Sequence, residues 1–435
     1  MNPVRKKIIV VGGGFAGIQL VRQLNEKLFD VLLIDQINHH QFQPLFYQVA
    51  TSQIEPSSIS LPLRNIFKKK PNVQIRLAQV LSIVSHQNKI ITSIGEFSYD
   101  FLVLATGCTT NFFGNGNIAN HSFTLKTTYD AIIIRNHILQ TFEKIISATG
   151  AERTGLCNLA IVGAGATGVE LAGAFAEVKK NFLPRDYREV DFSKFNIYLI
   201  EGTKDTLSNM SAASQEESKK YLQQMGVTIL TETFVKDYDG NMLLLSSGEK
   251  IHTQTVIWAA GVTGNTIDGL SPGSITRGNR VIVDRINKVA GTENIYAVGD
   301  VAFMSTAKYP KGHPQVANVA INQAKLLAKN LSRILQNKKT TEFEYNDLGS
   351  MAIIGRNKAV VDLPFVHFRG RMAWLTWMFL HLMLIITVKN KLIIFINWAW
   401  TYLSKDTSLR LILAPEKRIK KTKGANLIAA PAAVE

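Results

Sequence analysis

The feature that most limits the fold of this chain is a pattern written twice: a short β-branched run ending on glycine, a glycine-spaced turn, a helical stretch, and a second apolar run ending on an acid. In the first copy Ile8–Val11 meets Gly12, Gly14 and Gly17 complete GGGFAG, Ile18–Leu28 has helical spacing, and Val31–Ile34 ends on Asp35. In the second, Leu159–Val162 meets Gly163, Gly165 and Gly168 complete GAGATG, Val169–Val178 reads as helix, and Ile197–Ile200 ends on Glu201. Each copy predicts a βαβ unit.

The glycines have separate physical tasks. The first permits the tight turn, the second lets backbone amides reach a pyrophosphate at the positive end of the helix, and the third allows close packing of helix on strand. The acid at the end of the second strand accepts from a ribose hydroxyl. Two dinucleotide sites are therefore expected. Glu201 lies 33 residues past Gly168, farther than usual, and Lys179–Phe195 is the excursion that accounts for it. A carboxylate there favours the free ribose diol of NADH over the phosphorylated ribose of NADPH, with Lys204 close enough to weaken the preference.

The repetition extends beyond the glycines. GEFSYDFLVLATG (Gly95 to Gly107) resembles GEKIHTQTVIWAAG (Gly248 to Gly261), at a similar distance from its own fingerprint. Afterwards NIYAVGD (Asn294 to Asp300) reads as another strand, followed by a helix from about Pro314 to Leu335. A chain of 435 residues with 46% hydrophobic composition has material for more than one core, consistent with this division.

The C-terminal part changes character. Met372–Val388 and Leu392–Leu403 carry no charge, with Lys389 and Lys391 between them, and hold Trp374, Trp377, Trp398 and Trp400 as well as Tyr402. Seventeen helical residues rise about 25 Å, short of the roughly 30 Å hydrocarbon core. Tryptophan and tyrosine prefer the headgroup layer, so these segments are expected to lie on the membrane as a monotopic anchor, a dimer interface being the alternative. The formal charge is +16, and from Phe368 onward eleven Lys or Arg stand against three acids. Beside such apolar neighbours this charge points to anionic lipid, and no nucleic acid partner is expected. Pro415–Glu435 reads as a mobile tail. The N-terminus has no room for a secretory signal ahead of the first strand.

Cys108 and Cys157 are the only cysteines, and they form no CxxC pair. No dithiol relay is available, and no metal site is expected.

These motifs together, VVGGGFAG, HHQFQPLFYQVAT, the LATG turn, GAGATGVELAG, WAAGV, AVGD and the aromatic-rich end, resemble the two-dinucleotide-binding-domain flavoproteins (the pyridine nucleotide-disulfide oxidoreductase fold). Within them the chain is most similar to the type II (alternative, non-proton-pumping) NADH:quinone oxidoreductases. The resemblance implies an α/β protein with two Rossmann-like dinucleotide-binding domains and a C-terminal membrane-associating helical region. The implied division is an FAD-binding domain of residues 1–125 and 263–345, an NADH-binding domain of 126–262, and a membrane-anchoring region of 346–435.

It further implies non-covalent, tightly bound FAD on Gly12, Gly14, Gly17 and Asp35, with Thr106 and Gly107 near the flavin and Asp300 on its ribityl chain. NADH is the substrate on Gly163, Gly165, Gly168 and Glu201, and Glu170 faces the flavin to assist proton delivery. The electrons pass to a membrane quinone. The family's two quinone-bordering glutamines correspond here to Asn318 and Asn322, one methylene shorter, with Gln315 and Gln323 out of register. The expected location is the cytoplasmic face of the cell membrane. The rival readings are an NADH-binding flavoprotein of the apoptosis-inducing-factor type and an NADH oxidase that uses oxygen.

Overall fold

The computed structural model describes residues 5–406 and 409–413. Both glycine patterns form the expected units. Lys6–Val11, Phe29–Asp35, Val73–Leu77 and Phe101–Leu104 make a parallel sheet with Lys6–Val11 at its centre, joined beyond Phe101–Leu104 by Ile295–Ala297. Asn158–Val162, Asn196–Ile200, Val227–Leu230 and Thr255–Trp258 make a second parallel sheet in the equivalent order. Strands buried on both faces need continuous apolar runs, and FLVL, NLAIV and TVIW are fully buried.

Each unit also carries a three-stranded antiparallel meander between its third and fourth parallel strands. Val80–Val84, Lys89–Thr92 and Gly95–Ser98 form the first, and Val235–Tyr238, Met242–Leu245 and Lys250–His252 the second. The likeness of GEFSYDFLVLATG to GEKIHTQTVIWAAG is thus a likeness of meander edge, parallel strand and turn.

The first fingerprint helix runs Phe15–Gln23 rather than Ile18–Leu28. It starts directly after Gly14, and it stops early because Asn25 accepts from the Lys27 amide and turns the chain. The second, Ala166–Asn181, is longer, and the excursion after it holds the short helix Leu183–Asp186 before the next strand. A further helix, Ala317–Leu335, packs on Phe15–Gln23.

A third layer closes the molecule. Ser350–Gly355, Lys358–Asp362 and His367–Arg369 form an antiparallel sheet, followed by the helices Arg371–Leu384 and Val388–Ser404. Helix Ala166–Asn181 runs against strand Ser350–Gly355 so closely that a Cβ at Gly173 would meet the Ile354 carbonyl oxygen at 1.7 Å. Only glycine allows that approach. The uninterrupted stretch Met372–Val388 is in fact broken, since Thr387 caps the second helix by accepting from the Asn390 amide. Among the described residues no helix is long and apolar enough to cross a membrane.

Candidate active site between the two dinucleotide folds

The two strand-end acids are held alike. Asp35 accepts from the amides of Gly13 and Ile37, while Glu201 accepts from Ala164 at 2.6 Å and Thr203 at 2.9 Å. Each carboxylate is thereby pinned to its own glycine turn, with lone pairs left for a ligand. Burial pushes the Asp35 carboxyl up, and its backbone amide partners oppose the rise. In front of both helices the space is open: a Cβ at Gly14 or Gly165 would touch nothing within 4 Å, whereas one at Gly17 or Gly168 would strike the carbonyl oxygen of Gly12 or Gly163 at 1.8 Å. The third glycine of each turn serves packing, and the second faces open space, which at Gly14 is a cavity.

A cavity of about 510 Å³ lies between the units. From the first unit Gly12, Gly14, Asp35, Thr106, Gly107 and Asp300 line it; from the second, Thr167, Glu170, Trp258 and Gly261. Its size and its glycine-lined rim suit a dinucleotide cofactor. The Asp300 carboxylate accepts from the Cys108 thiol at 3.0 Å, and the Lys126 ammonium donates to the same sulfur at 3.2 Å. Burial, with Asp300 next in effect, pushes the Cys108 thiol up to about 11, so it stays protonated and is a poor nucleophile. Cys157 is buried just ahead of the central strand Asn158–Val162, at the end opposite its glycine turn.

Asp300 is fixed through its backbone: Arg280 donates to the carbonyls of Asp300, Ala302 and His313, and Gln315 adds a bond of 3.1 Å to Asp300. Gln323 accepts from the Gly299 amide at 2.8 Å, where φ is +75°. The two glutamines that are out of register in sequence therefore hold the Gly299–Asp300 turn. Asn318 and Asn322 are half-buried on the helix whose residues Ala317 and Ala320 line the cavity, but neither asparagine lines it.

Deeper in, Glu170 and Tyr47 line this cavity and also a second one of about 90 Å³. Glu170 sits on the first turns of Ala166–Asn181 under strand Ser350–Gly355, and the Ile353 amide donates to it weakly at 3.4 Å. Burial pushes its carboxyl up to about 8, only partly offset by the Ile353 amide and the neighbouring Trp377 indole. Tyr47 is oriented by a chain of bonds: Trp398 donates to Gln48 at 2.8 Å, and Gln48 donates to the Tyr47 hydroxyl at 2.9 Å. That hydroxyl keeps its own proton to offer. His381, from the first C-terminal helix, lines the larger cavity and stacks on Trp377 at 3.9 Å. Its Nδ1 donates to the Trp377 carbonyl, and burial pulls its pKa down to about 4, so the ring is neutral.

The smaller cavity runs from Tyr47 and Glu170, past Ala174, Glu177 and Ile354, to Trp374, Met378, Thr401, Tyr402 and Lys405 of the two C-terminal helices. Those helices differ from the anchor expected from sequence. Trp377 and Trp398 are 1% and 7% exposed and turn inward, Trp398 lining the smaller cavity and Trp377 packing behind Tyr47 and His381, so they are part of the site rather than headgroup-layer residues. The outward face is made of Met372, Leu375, Phe379, Met383, Leu392, Phe395, Ile396, Trp400 and Leu403, with Phe379 62% and Trp400 64% exposed. Such a contiguous apolar face marks an interaction surface. The basic residues from Lys417 onward, and the tail expected over Pro415–Glu435, lie outside the described residues.

Two dinucleotide folds facing one cavity define a pyridine-nucleotide-dependent oxidoreductase, and residues 6–324 match the family model for pyridine nucleotide-disulphide oxidoreductases. Residues 348–405 match the NDH2 C-terminal domain. The chain is 33% identical to the type II NADH:quinone oxidoreductase of Mycobacterium tuberculosis over 92% of its own length and 89% of the relative's. It is 27% identical to the Haemophilus influenzae enzyme of the same description, over 82% and 87%. Its fold superposes on NDH2 from Plasmodium falciparum in complex with NADH with a TM-score of 0.87, at 21% identity, covering 94% of this chain and 100% of that one. The chain belongs to the type II NADH:quinone oxidoreductases.

Proposed function

We propose that this enzyme binds FAD in the larger cavity, takes a hydride from NADH lying across the second glycine turn, and delivers two electrons to a quinone that enters through the smaller cavity. The observation that carries this reading is that the two cavities share a wall of two groups able to give protons, Tyr47 and Glu170. When bound, FAD supplies the two-electron exchange between nicotinamide and quinone.

The chain's own residues do the rest. Gly14 and Gly165 leave the helix N-termini open to the two pyrophosphates, and Asp35 and Glu201 accept from the ribose hydroxyls. Asp300, steadied by Arg280 and Gln315, takes the ribityl chain. Thr106 and Gly107 form the turn against the flavin ring. Glu170, protonated in the neutral range, donates to the reduced quinone, and Tyr47 hydrogen-bonds its carbonyl. The protonated, unpaired Cys108 leaves no thiol in the electron path.

The division follows the chain segments: residues 1–125 and 263–345 for FAD, 126–262 for NADH, and 346–435 for the membrane. The apolar face of the C-terminal helices rests in the cytoplasmic leaflet, with Arg371, Lys389, Lys391 and Lys405 available to anionic headgroups. Purified protein should show a flavin spectrum bleached by NADH without oxygen and restored by a short-chain quinone. A bleached flavin that quinone leaves reduced would overturn the acceptor; an absent flavin would overturn the cofactor.

A further inference from the structure

Reduction of a quinone by NADH consumes a proton from the medium. NADH, quinone and one proton give NAD and hydroquinone; the hydride supplies one hydrogen and both electrons, so each turnover draws one further proton through the protein. Glu170 can hold that proton but is buried under strand Ser350–Gly355. Something must reload it.

Glu177 is seven residues on in the same helix, which places it on nearly the same face, about 10 Å farther along the axis. Ala174 lies between them, and Glu170, Ala174, Glu177 and Asn181 all line the smaller cavity in that order. The small Ala174 side chain leaves room between the carboxyls, and about 90 Å³ holds several waters once hydroquinone has left. Glu177 accepts from the Arg356 amide at the turn of the capping hairpin, where Gly355 lets it approach: a Cβ on Gly355 would stand 3.0 Å from its Oε1. The groups facing it are known from every side. Arg356 and Lys358 come from the hairpin, Tyr402 and Lys405 from the last helix, and Tyr47 and Glu170 from the inner end.

We propose that Glu177 is the outer carboxyl of a two-step proton path, taking a proton from the mouth of the smaller cavity at Asn181 and Lys405 and passing it by water to Glu170. The inference rests on the reading that quinone is reduced beside Glu170. Burial pushes the Glu177 carboxyl upward against the Arg356 amide and the charges of Arg356 and Lys358, so it can be protonated closer to neutrality than an exposed glutamate. The competing account is a carboxylate that merely seats the hairpin.

The test is E177Q in the full-length, flavin-loaded enzyme, because the amide oxygen still accepts from the Arg356 amide. NADH should reduce the flavin at the wild-type rate. Reoxidation by a short-chain quinone should slow about tenfold or more at alkaline pH and approach wild type in acid, with kcat lowered and the quinone KM unchanged. E177D should recover part of the rate. In an infrared pH titration without substrates, the protonated-carboxyl band should lose one component in E177Q and another in E170Q. Wild-type reoxidation at all pH, or a pH-independent loss with a raised quinone KM, overturns the proposal. Should E177Q not retain flavin, the wild-type infrared titration decides, a band abolished entirely by E170Q counting against Glu177. A wild-type flavin that quinone never reoxidises defeats the quinone reading itself.

Discussion

Replacing Glu170 by glutamine removes a titration while keeping the size of the side chain. The carboxyl is held at about 8 in the folded protein against an ordinary 4.5. One pH unit of displacement is worth ~1.4 kcal/mol, so ionising Glu170 in place costs ~5 kcal/mol. Between those two values the folded protein binds more protons at this residue than the unfolded chain does. Its contribution to stability is therefore full below about pH 4.5, falls as pH rises, and is gone above about 8. The glutamine variant has no such loss. Any defect from rearranged hydrogen bonds adds a constant, because glutamine does not titrate. Urea unfolding of both loaded proteins, followed by flavin release and circular dichroism in acid, neutral and alkaline buffer, measures the difference. E170Q should gain on the wild type by ~3 kcal/mol from acid to neutral and by ~5 kcal/mol at the alkaline end. Parallel pH curves would refute the claim that Glu170 is buried as a neutral acid, and with it the proton role.

Glu201→Arg should raise the KM for NADH about tenfold or more and improve use of NADPH, since it removes the carboxylate pinned by Ala164 and Thr203; equal use of both cofactors by the wild type would remove the basis of the assignment. Gly173→Ala must push the Ile354 carbonyl away by more than 1 Å, and should cost ~2–4 kcal/mol in unfolding while lowering the apparent pKa of Glu170 as the strand lifts. Cys108→Ser with Cys157→Ser should keep flavin and most turnover, because the serine hydroxyl can still donate to Asp300; loss of quinone-linked reoxidation alone would show a thiol in the electron path. Phe379→Glu with Phe395→Glu, both on the outward face, should release the protein from anionic vesicles and depress turnover with long-chain but not short-chain quinone; unchanged vesicle binding would count against the membrane surface.

Both βαβ units were legible because their signals are local: a run of β-branched residues, a glycine where φ is +107° or +102°, and an acid at a strand end. The turn at Gly12 and the close packing at Gly17 needed nothing from distant parts of the chain to be read. Tyr47, His381 and Glu177 were not recognised as a group, because they come from three distant segments that meet only when the capping sheet folds onto Ala166–Asn181. Tyr47 lay inside a stretch that stood out, FQPLFYQVAT, but nothing local says which of its aromatics faces a cavity. The C-terminal helices failed in a related way. A helix apolar nearly all round carries no periodic cue to its inner face, so Trp377 and Trp398 could not be told from Trp400.

The inward tryptophans change what removing the C-terminal helices would do. Trp398 holds Gln48, Gln48 holds Tyr47, and His381 lines the larger cavity with Trp377 stacked behind it, so the segment roofs the site and, on the proposed reading, moors it as well. Cutting the chain near Arg369 would leave a different enzyme from a merely soluble version of this one. On the proposed reading, water and dioxygen would then reach the flavin from the side that quinone uses, and electrons meant for quinone would leak to oxygen as peroxide. In the proposed architecture, attachment to the bilayer and restraint of a side reaction are one piece of protein.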